Sequence, residues 1–314
     1  MGVNSYSEQI DIDNTYRLRM LISTLPPYAK DYFRGIQPHT ESRTRIAYAY
    51  DLRVFFHFLI DENPAYRNYS VLDFKVSDLD KIESVDLEEY MEYLKVYVSD
   101  ENHKHMQNTE QGVFRKMSAL RSFYGYFYKR QLIEKNPTLL VDMPKIREKE
   151  IIRLEADEVA SLLDFVEHGG DHLTGQKRAY YEKTKERDLA IITLLLGTGI
   201  RVSELVGLNV DDVDFRNNGL HLIRKGRKEM TVYFGNEVAD ALEQYMEGSR
   251  KLVIPKEGHE DALFYSMQRR RIGVQAVQNL VKKYAKEVTP LKKITPHKLR
   301  STYAVSYTHL TLPT

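Results

Sequence analysis

The chain has 314 residues, room for about two domains, with 42% hydrophobic and 29% charged residues. Lys and Arg number 46 against 45 Asp and Glu, a net charge of +1 that argues against a disordered polyelectrolyte. Cysteine is absent, which excludes disulfides, thiolate metal sites and a cysteine nucleophile. The opening Met1-Gly2-Val3-Asn4-Ser5-Tyr6 lacks a myristoylation pattern, and no basic-then-apolar leader follows. The most apolar stretch, residues 189–200, holds two threonines and two glycines and is short of the ~20 residues a membrane span needs. A soluble, cytoplasmic protein with no membrane partner is expected.

In chain order, the first half reads as helix. Tyr48, Leu52, Phe55 and Leu59 form one apolar stripe at helical period, ended by Asn63-Pro64. Residues 86–98 predict an acidic helix with Leu87, Tyr90, Met91 and Leu94 on one side. Val113, Met117, Leu120, Tyr124 and Phe127 predict another, whose opposite side presents Arg115, Ser118 and Ser122, with Arg121 nearby. Strand-like alternation is scarce before residue 150, so an all-helical bundle is expected there. Asn136-Pro137 breaks the pattern, and the charged, Pro-initiated segment from Met143-Pro144 to Glu150 reads as a linker.

A second helical region starts near Glu155. Between Asp212 and Phe234 the period changes. Leu220, Leu222 and Ile223 lead into Arg224-Lys225-Gly226-Arg227-Lys228, after which Met230, Val232 and Phe234 alternate, predicting a β-hairpin with a basic turn. Helix returns over residues 236–248 and again at Val277, Leu280, Val281 and Tyr284.

Charge is distributed unevenly. Residues 250–300 carry 13 Lys/Arg against 4 Asp/Glu, so the near-neutral total conceals a basic C-terminal region of the kind that attracts phosphates. Gly197-Thr198-Gly199 is followed by no Gly-Lys-[Ser/Thr], and neither a His-Glu-x-x-His pair nor a Gly-x-Ser-x-Gly elbow occurs. What remains is a set of cations at element boundaries. Arg201 follows a glycine break, Lys225 sits on the hairpin turn, and His297 and Arg300 share one face of a helix started by Pro296. Two arginines, a lysine and a histidine suit a phosphodiester whose oxygens gain charge during displacement. Each alone also fits a surface cation, a solubility lysine or a hydrogen-bonded structural histidine.

Residues 185–205, ending in Gly197-Thr198-Gly199-Ile200-Arg201-Val202-Ser203-Glu204-Leu205, closely resemble the first catalytic-arginine box of tyrosine recombinases. Lys225-Gly226 resembles their catalytic-lysine turn, and Thr295-Pro296-His297-Lys298-Leu299-Arg300 their His-x-x-Arg box. The likeness covers roughly residues 25–304, with a Xer-type flavour that integrases of mobile elements share. It implies a mainly α fold. A helical, SAM-like core-binding domain (residues 1–145) that clamps DNA is joined by a linker (146–153) to an α-rich catalytic domain with a small β-hairpin (154–304). It implies site-specific recombination of double-stranded DNA through a 3′-phosphotyrosyl intermediate, with no metal or other cofactor, by a homotetramer of the full-length parent. By this resemblance Arg201 and Arg300 hold the non-bridging oxygens of the scissile phosphate. Lys225 serves the leaving 5′-oxygen, His297 assists proton transfer, and Glu204 orients Arg201 from behind. Arg115, Arg121, Arg269, Arg270, Arg271, Lys282 and Lys292 are the DNA-backbone candidates.

The family continues past the His-x-x-Arg box with a Leu-Gly-His segment and then a nucleophilic tyrosine. Residues 305–314 do not fit that pattern and read as a non-native tail, so no tyrosine here is taken as nucleophile, Tyr307 included. Ser301 stands where relatives often carry a second histidine. The chain is therefore expected to bind DNA without cleaving it. The alternative is a helical DNA-binding regulator or accessory protein that performs no chemistry and has no need for Arg201, Lys225 and Arg300 to converge. A scaffold for protein partners leaves the basic segment unexplained.

Overall fold

The computed structural model describes residues 6–98, 104–147, 150–224 and 228–311, with side chains described as far as residue 305. The chain divides into two compact units, Met1–Glu148 and Lys149–Thr314.

In the first unit, α1 spans Tyr6–Ile22, α2 Ala29–Ile36, α3 Ser42–Glu62, α4 Ser84–Tyr93 and α5 Glu110–Lys129. The stripe on α3 buries Leu52, Phe55, Phe56 and Leu59 completely or nearly so. The helix stops at Asn63, whose extended backbone is what the following Pro64 favours. Val113, Met117, Leu120, Tyr124 and Phe127 form the buried face of α5. Aromatic rings fill the space between. Phe123 meets Tyr32 edge-on at 5.1 Å and Phe127 at 5.0 Å, and Phe55 meets Tyr90 at 5.1 Å; each such pair adds about 0.5–1.5 kcal/mol beyond burial itself.

The acidic helix expected over residues 86–98 is shorter than its pattern implied, because α4 ends at Tyr93. Beyond it Val96–Val98 forms strand β1, antiparallel to β2, His105–Gln107. Val96, Tyr97 and Val98 are the residue types a pleated surface suits, but three residues are too few to register as a period. This unit is thus helical with one small hairpin.

In the second unit, α6 spans Ala156–His168, α7 Gly175–Thr198 and α8 Val202–Gly207. Strands β3, β4 and β5 run over Val213–Asp214, Gly219–Arg224 and Lys228–Tyr233, followed by α9 (Asn236–Glu247), α10 (Val274–Val288) and α11 (Pro296–Thr311). The C-terminal half of α7 is buried on all sides, with Ala190, Ile191, Ile192, Leu194 and Leu195 fully enclosed, as a helix apolar all round must be. The sheet is antiparallel in the order β3-β4-β5, with Leu220 opposite Val232 and Arg224 opposite Lys228. Alternation on β4 buries Leu220 and Leu222 and exposes Ile223. Strand β3 has two residues and left no sequence pattern to detect.

A buried polar cluster joins α7 to α10. Asp188 Oδ1 accepts from Arg187 Nε and Nη2 at 3.0 and 2.6 Å, Asp188 Oδ2 accepts the Tyr284 hydroxyl at 3.0 Å, and Arg187 Nη1 donates to the Tyr265 carbonyl at 3.0 Å. Among the described residues no helix is long and apolar enough to cross a membrane.

Candidate functional site

The first box forms a sharp corner between two helices. Gly199 caps α7 in the left-handed conformation (φ 58°, ψ 24°), where a residue without Cβ carries no strain. Arg201 then occupies the N-cap of α8. Glu204, in the first turn of α8, accepts the Arg201 backbone N–H through Oε2 at 2.7 Å and Arg201 Nη1 through Oε1 at 2.8 Å. The Glu204 side chain is only 9% exposed while that of Arg201 is 56% exposed. The carboxylate is therefore fixed in the fold and the guanidinium is held at the surface with donors to spare.

The hairpin reaches the same carboxylate. Arg224, the last residue of β4, places Nε 3.4 Å from Glu204 Oε1. Lys225 follows it in the chain but lies outside the described residues.

Pro296 starts α11, as the sequence predicts, and puts His297 on its exposed first turn with Arg300 one turn on. The helix is pinned at two places. Thr302 Oγ1 accepts the backbone N–H of Leu154 at 3.0 Å, and Tyr303 packs against the Gly199 corner. A Cβ placed on Gly199 would stand 2.3 Å from the Tyr303 ring. The corner that aims Arg201 and the helix that carries Arg300 therefore meet where only glycine fits. Arg300 Nη1 is shielded from solvent and donates to no acceptor among the described residues. A buried unsatisfied donor costs roughly 1–3 kcal/mol, and a charged one left open on a loaded helix marks a place where an acceptor is missing. The side chains of Tyr307 and His309 lie outside the described residues.

The cations singled out for backbone contact separate into two groups. Arg269, Arg270 and Lys282 are exposed and have no side-chain partner among the described residues. Arg269 sits at φ 61° in a turn closed by the Tyr265–Arg271 bridge. The other four are engaged inside the fold. Arg271 donates to the carbonyls of Val206 and Leu208 at 3.2 and 2.7 Å, and so caps the end of α8. Lys292 pairs with Glu158 at 2.6 Å. Arg121 donates to the carbonyls of Thr138 and Val141 at 3.2 and 2.8 Å. Arg115 forks onto buried Asp51, which also takes Lys116 at 3.5 Å. Ser122, on the same side of α5, accepts the Tyr32 hydroxyl at 2.9 Å. That side, which sequence periodicity leaves to solvent, is largely committed to packing.

Two features escape the sequence reading. Arg224 was visible as a basic turn residue, but nothing in the spacing tied it to Glu204. In the first unit, Arg17 donates to the Tyr50 hydroxyl at 2.9 Å and Arg53 lies 5.1 Å over the same ring, a cation cluster shared by α1 and α3 that no single-helix pattern reveals. Among the described residues, no three His, Asp or Glu side chains gather as metal ligands would.

The phage integrase family model matches residues 152–313. Tyrosine recombinase XerC of Caldanaerobacter subterraneus subsp. tengcongensis is 37% identical over 293 residues, covering 89% of this chain and 74% of the relative. The chain belongs to the phage integrase family of tyrosine recombinases. Tyrosine recombinase XerC of Thermodesulfovibrio yellowstonii is 34% identical over 233 residues, covering 70% of this chain and 73% of the relative. A crystal structure of the XerH site-specific recombinase bound to a palindromic difH substrate shares the fold, with a TM-score of 0.62 and 16% identity over 86% of this chain and 70% of that one. As a tyrosine recombinase the protein is by family an enzyme of site-specific DNA recombination, and the reading as a regulator without chemistry is not favoured.

Proposed function

We propose that this tyrosine recombinase grips a single backbone phosphate of double-stranded DNA between Arg201 and Arg300. The observation that carries the reading is Arg300 Nη1, buried and without an acceptor, on a helix seated against the corner that presents Arg201. A phosphate oxygen supplies the acceptor it lacks, and two guanidinium groups stabilise the charge that builds on the equatorial oxygens during displacement. In the reaction a tyrosine hydroxyl oxygen bonds to phosphorus as the bond to the 5′-oxygen breaks. Lys225 delivers a proton to that leaving oxygen, and His297 assists transfer at the phosphate. The phosphotyrosyl ester conserves the bond for rejoining, so the chemistry draws on neither metal nor nucleotide. No tyrosine of this sequence is assigned the attacking role.

Arg269, Arg270 and Lys282 supply further phosphate contacts that position the duplex without reading its sequence. Arg115, Arg121, Arg271 and Lys292 contribute charge, but their donors are committed to the fold. The first unit is the core-binding clamp, the second the catalytic unit, and the recombinase acts as a homotetramer in the cytoplasm.

Binding of a labelled mixed-sequence duplex, titrated across salt, tests the reading. Affinity is expected to fall linearly in log–log form, by ~0.9 in slope per phosphate neutralised. Replacing Arg201 and Arg300 together with alanine should flatten the slope by about 1, the value for one phosphate, while circular dichroism stays unchanged. Binding indifferent to salt, or a slope that the double variant leaves intact, would contradict it.

A further inference from the structure

Glu204 poses a problem for a site that must attract an anion. It stands against Arg201, and the two together are neutral, so an approaching phosphate meets a guanidinium whose field is largely cancelled by its own support. Arg224 resolves this. Its Nε lies 3.4 Å from Glu204 Oε1, the atom that also takes Arg201 Nη1 at 2.8 Å. That Nε is buried, yet its alignment with Oε1 falls short of a hydrogen bond, and no other acceptor is present among the described residues. The side chain is 29% exposed and leaves the end of a strand whose register is fixed by the pairing of Arg224 with Lys228. One carboxylate thus sits between two guanidinium groups, leaving a net positive charge at the corner.

We infer that Arg224 is a positioning residue for the phosphate grip. It offsets the Glu204 carboxylate and steadies its Oε1, so that Arg201 keeps both its aim and its positive field. It acts through Glu204 and does not itself bind the phosphate. The inference rests on the phosphate reading above and deepens it by adding a residue to which the family resemblance gives no role.

The test is duplex binding by the full chain across salt, comparing wild type, R224Q, R224K, E204Q and the E204Q/R224Q pair. R224Q should weaken binding about fivefold with an unchanged salt slope, since no phosphate contact is removed. R224K, which keeps the charge, should return to within about twofold of wild type. In the E204Q background, where Oε1 no longer needs steadying and only the field of Arg224 itself is lost, R224Q should cost clearly less, about twofold. Three results would overturn the inference: an equal loss in both backgrounds, a salt slope reduced by ~0.9 as for a direct phosphate contact, or no loss at all. Should R224Q fail to fold, R224A takes its place, with the same expected loss in the wild-type background and the same smaller loss in the E204Q background. Absence of binding by the wild type would defeat the phosphate reading itself, and this inference with it.

Discussion

Gly199→Val is expected to destabilise the catalytic unit by about 4 kcal/mol, the sum of two independent costs. At φ 58° a β-branched residue is strained by ~1–3 kcal/mol. Its side chain would also enter the space of the Tyr303 ring, 2.3 Å from a Cβ at that position, and overpacking typically adds ~1–3 kcal/mol. Relief requires moving either the Arg201 corner or α11, so phosphate binding should suffer even in molecules that stay folded. Thermal melting should show a drop of about 10 °C for a unit of this size. Gly235→Ala is the control, because a Cβ there meets nothing within 4 Å and the backbone is extended; its cost should stay below ~1 kcal/mol. If Gly199→Val melts within a degree or two of wild type, the corner is not the rigid junction described above.

Asp51→Ala should be comparably damaging in the first unit. Asp51 and Lys116 are 2% and 7% exposed, and Arg115 forks onto the same carboxylate. Burial raises the Asp51 carboxyl above its ordinary range despite both cations, and burial lowers the Lys116 ammonium. The pair is therefore costly to enclose and still costlier to break. Removing the carboxylate leaves Lys116 buried beside Arg115 with no counter-charge, a loss of about 3–5 kcal/mol. The sign of its pH dependence follows from linkage. With the folded Lys116 depressed further below the ordinary lysine value of 10.5, the unfolded chain binds more protons over the intervening range. Stability of the variant should then rise with pH until 10.5 is approached. Urea unfolding of Asp51→Ala at neutral and alkaline pH measures this. A penalty under ~1 kcal/mol, or one that does not shrink as pH rises, would show that Asp51 is not what sustains Lys116. Lys116→Met in the same background should recover most of the loss.

Long amphipathic helices were legible from the residues themselves. The stripe through Leu52, Phe55 and Leu59 and the one through Val113, Met117 and Leu120 lie in helices whose buried faces they form. The hairpin of β4 and β5 was equally plain, because Leu220 and Leu222 lead into a basic stretch after which Met230 and Val232 alternate. Strands β1 and β3 were not, since two or three residues carry no period. The corner at Gly199 was visible as a break, but its partner Tyr303 lies about a hundred residues away, and only folding brings them together. Surface assignments fared differently for the same reason. Whether an arginine is free depends on what folds against it. Arg271 looks like Arg270 in sequence, yet it reaches the end of α8 while Arg270 faces outward. Only the family resemblance puts the Glu204 carboxylate behind Arg201 ahead of the structure, and its approach to Arg224 depends on where a hairpin lands.

The most direct measurement is a crystal structure of this chain with duplex DNA. A single backbone phosphate should lie within hydrogen-bonding distance, about 3 Å, of both Arg201 and Arg300, with Arg300 Nη1 satisfied by one of its oxygens. A complex in which the two arginines contact separate phosphates, or in which Arg300 Nη1 remains without an acceptor beside bound DNA, would contradict the account.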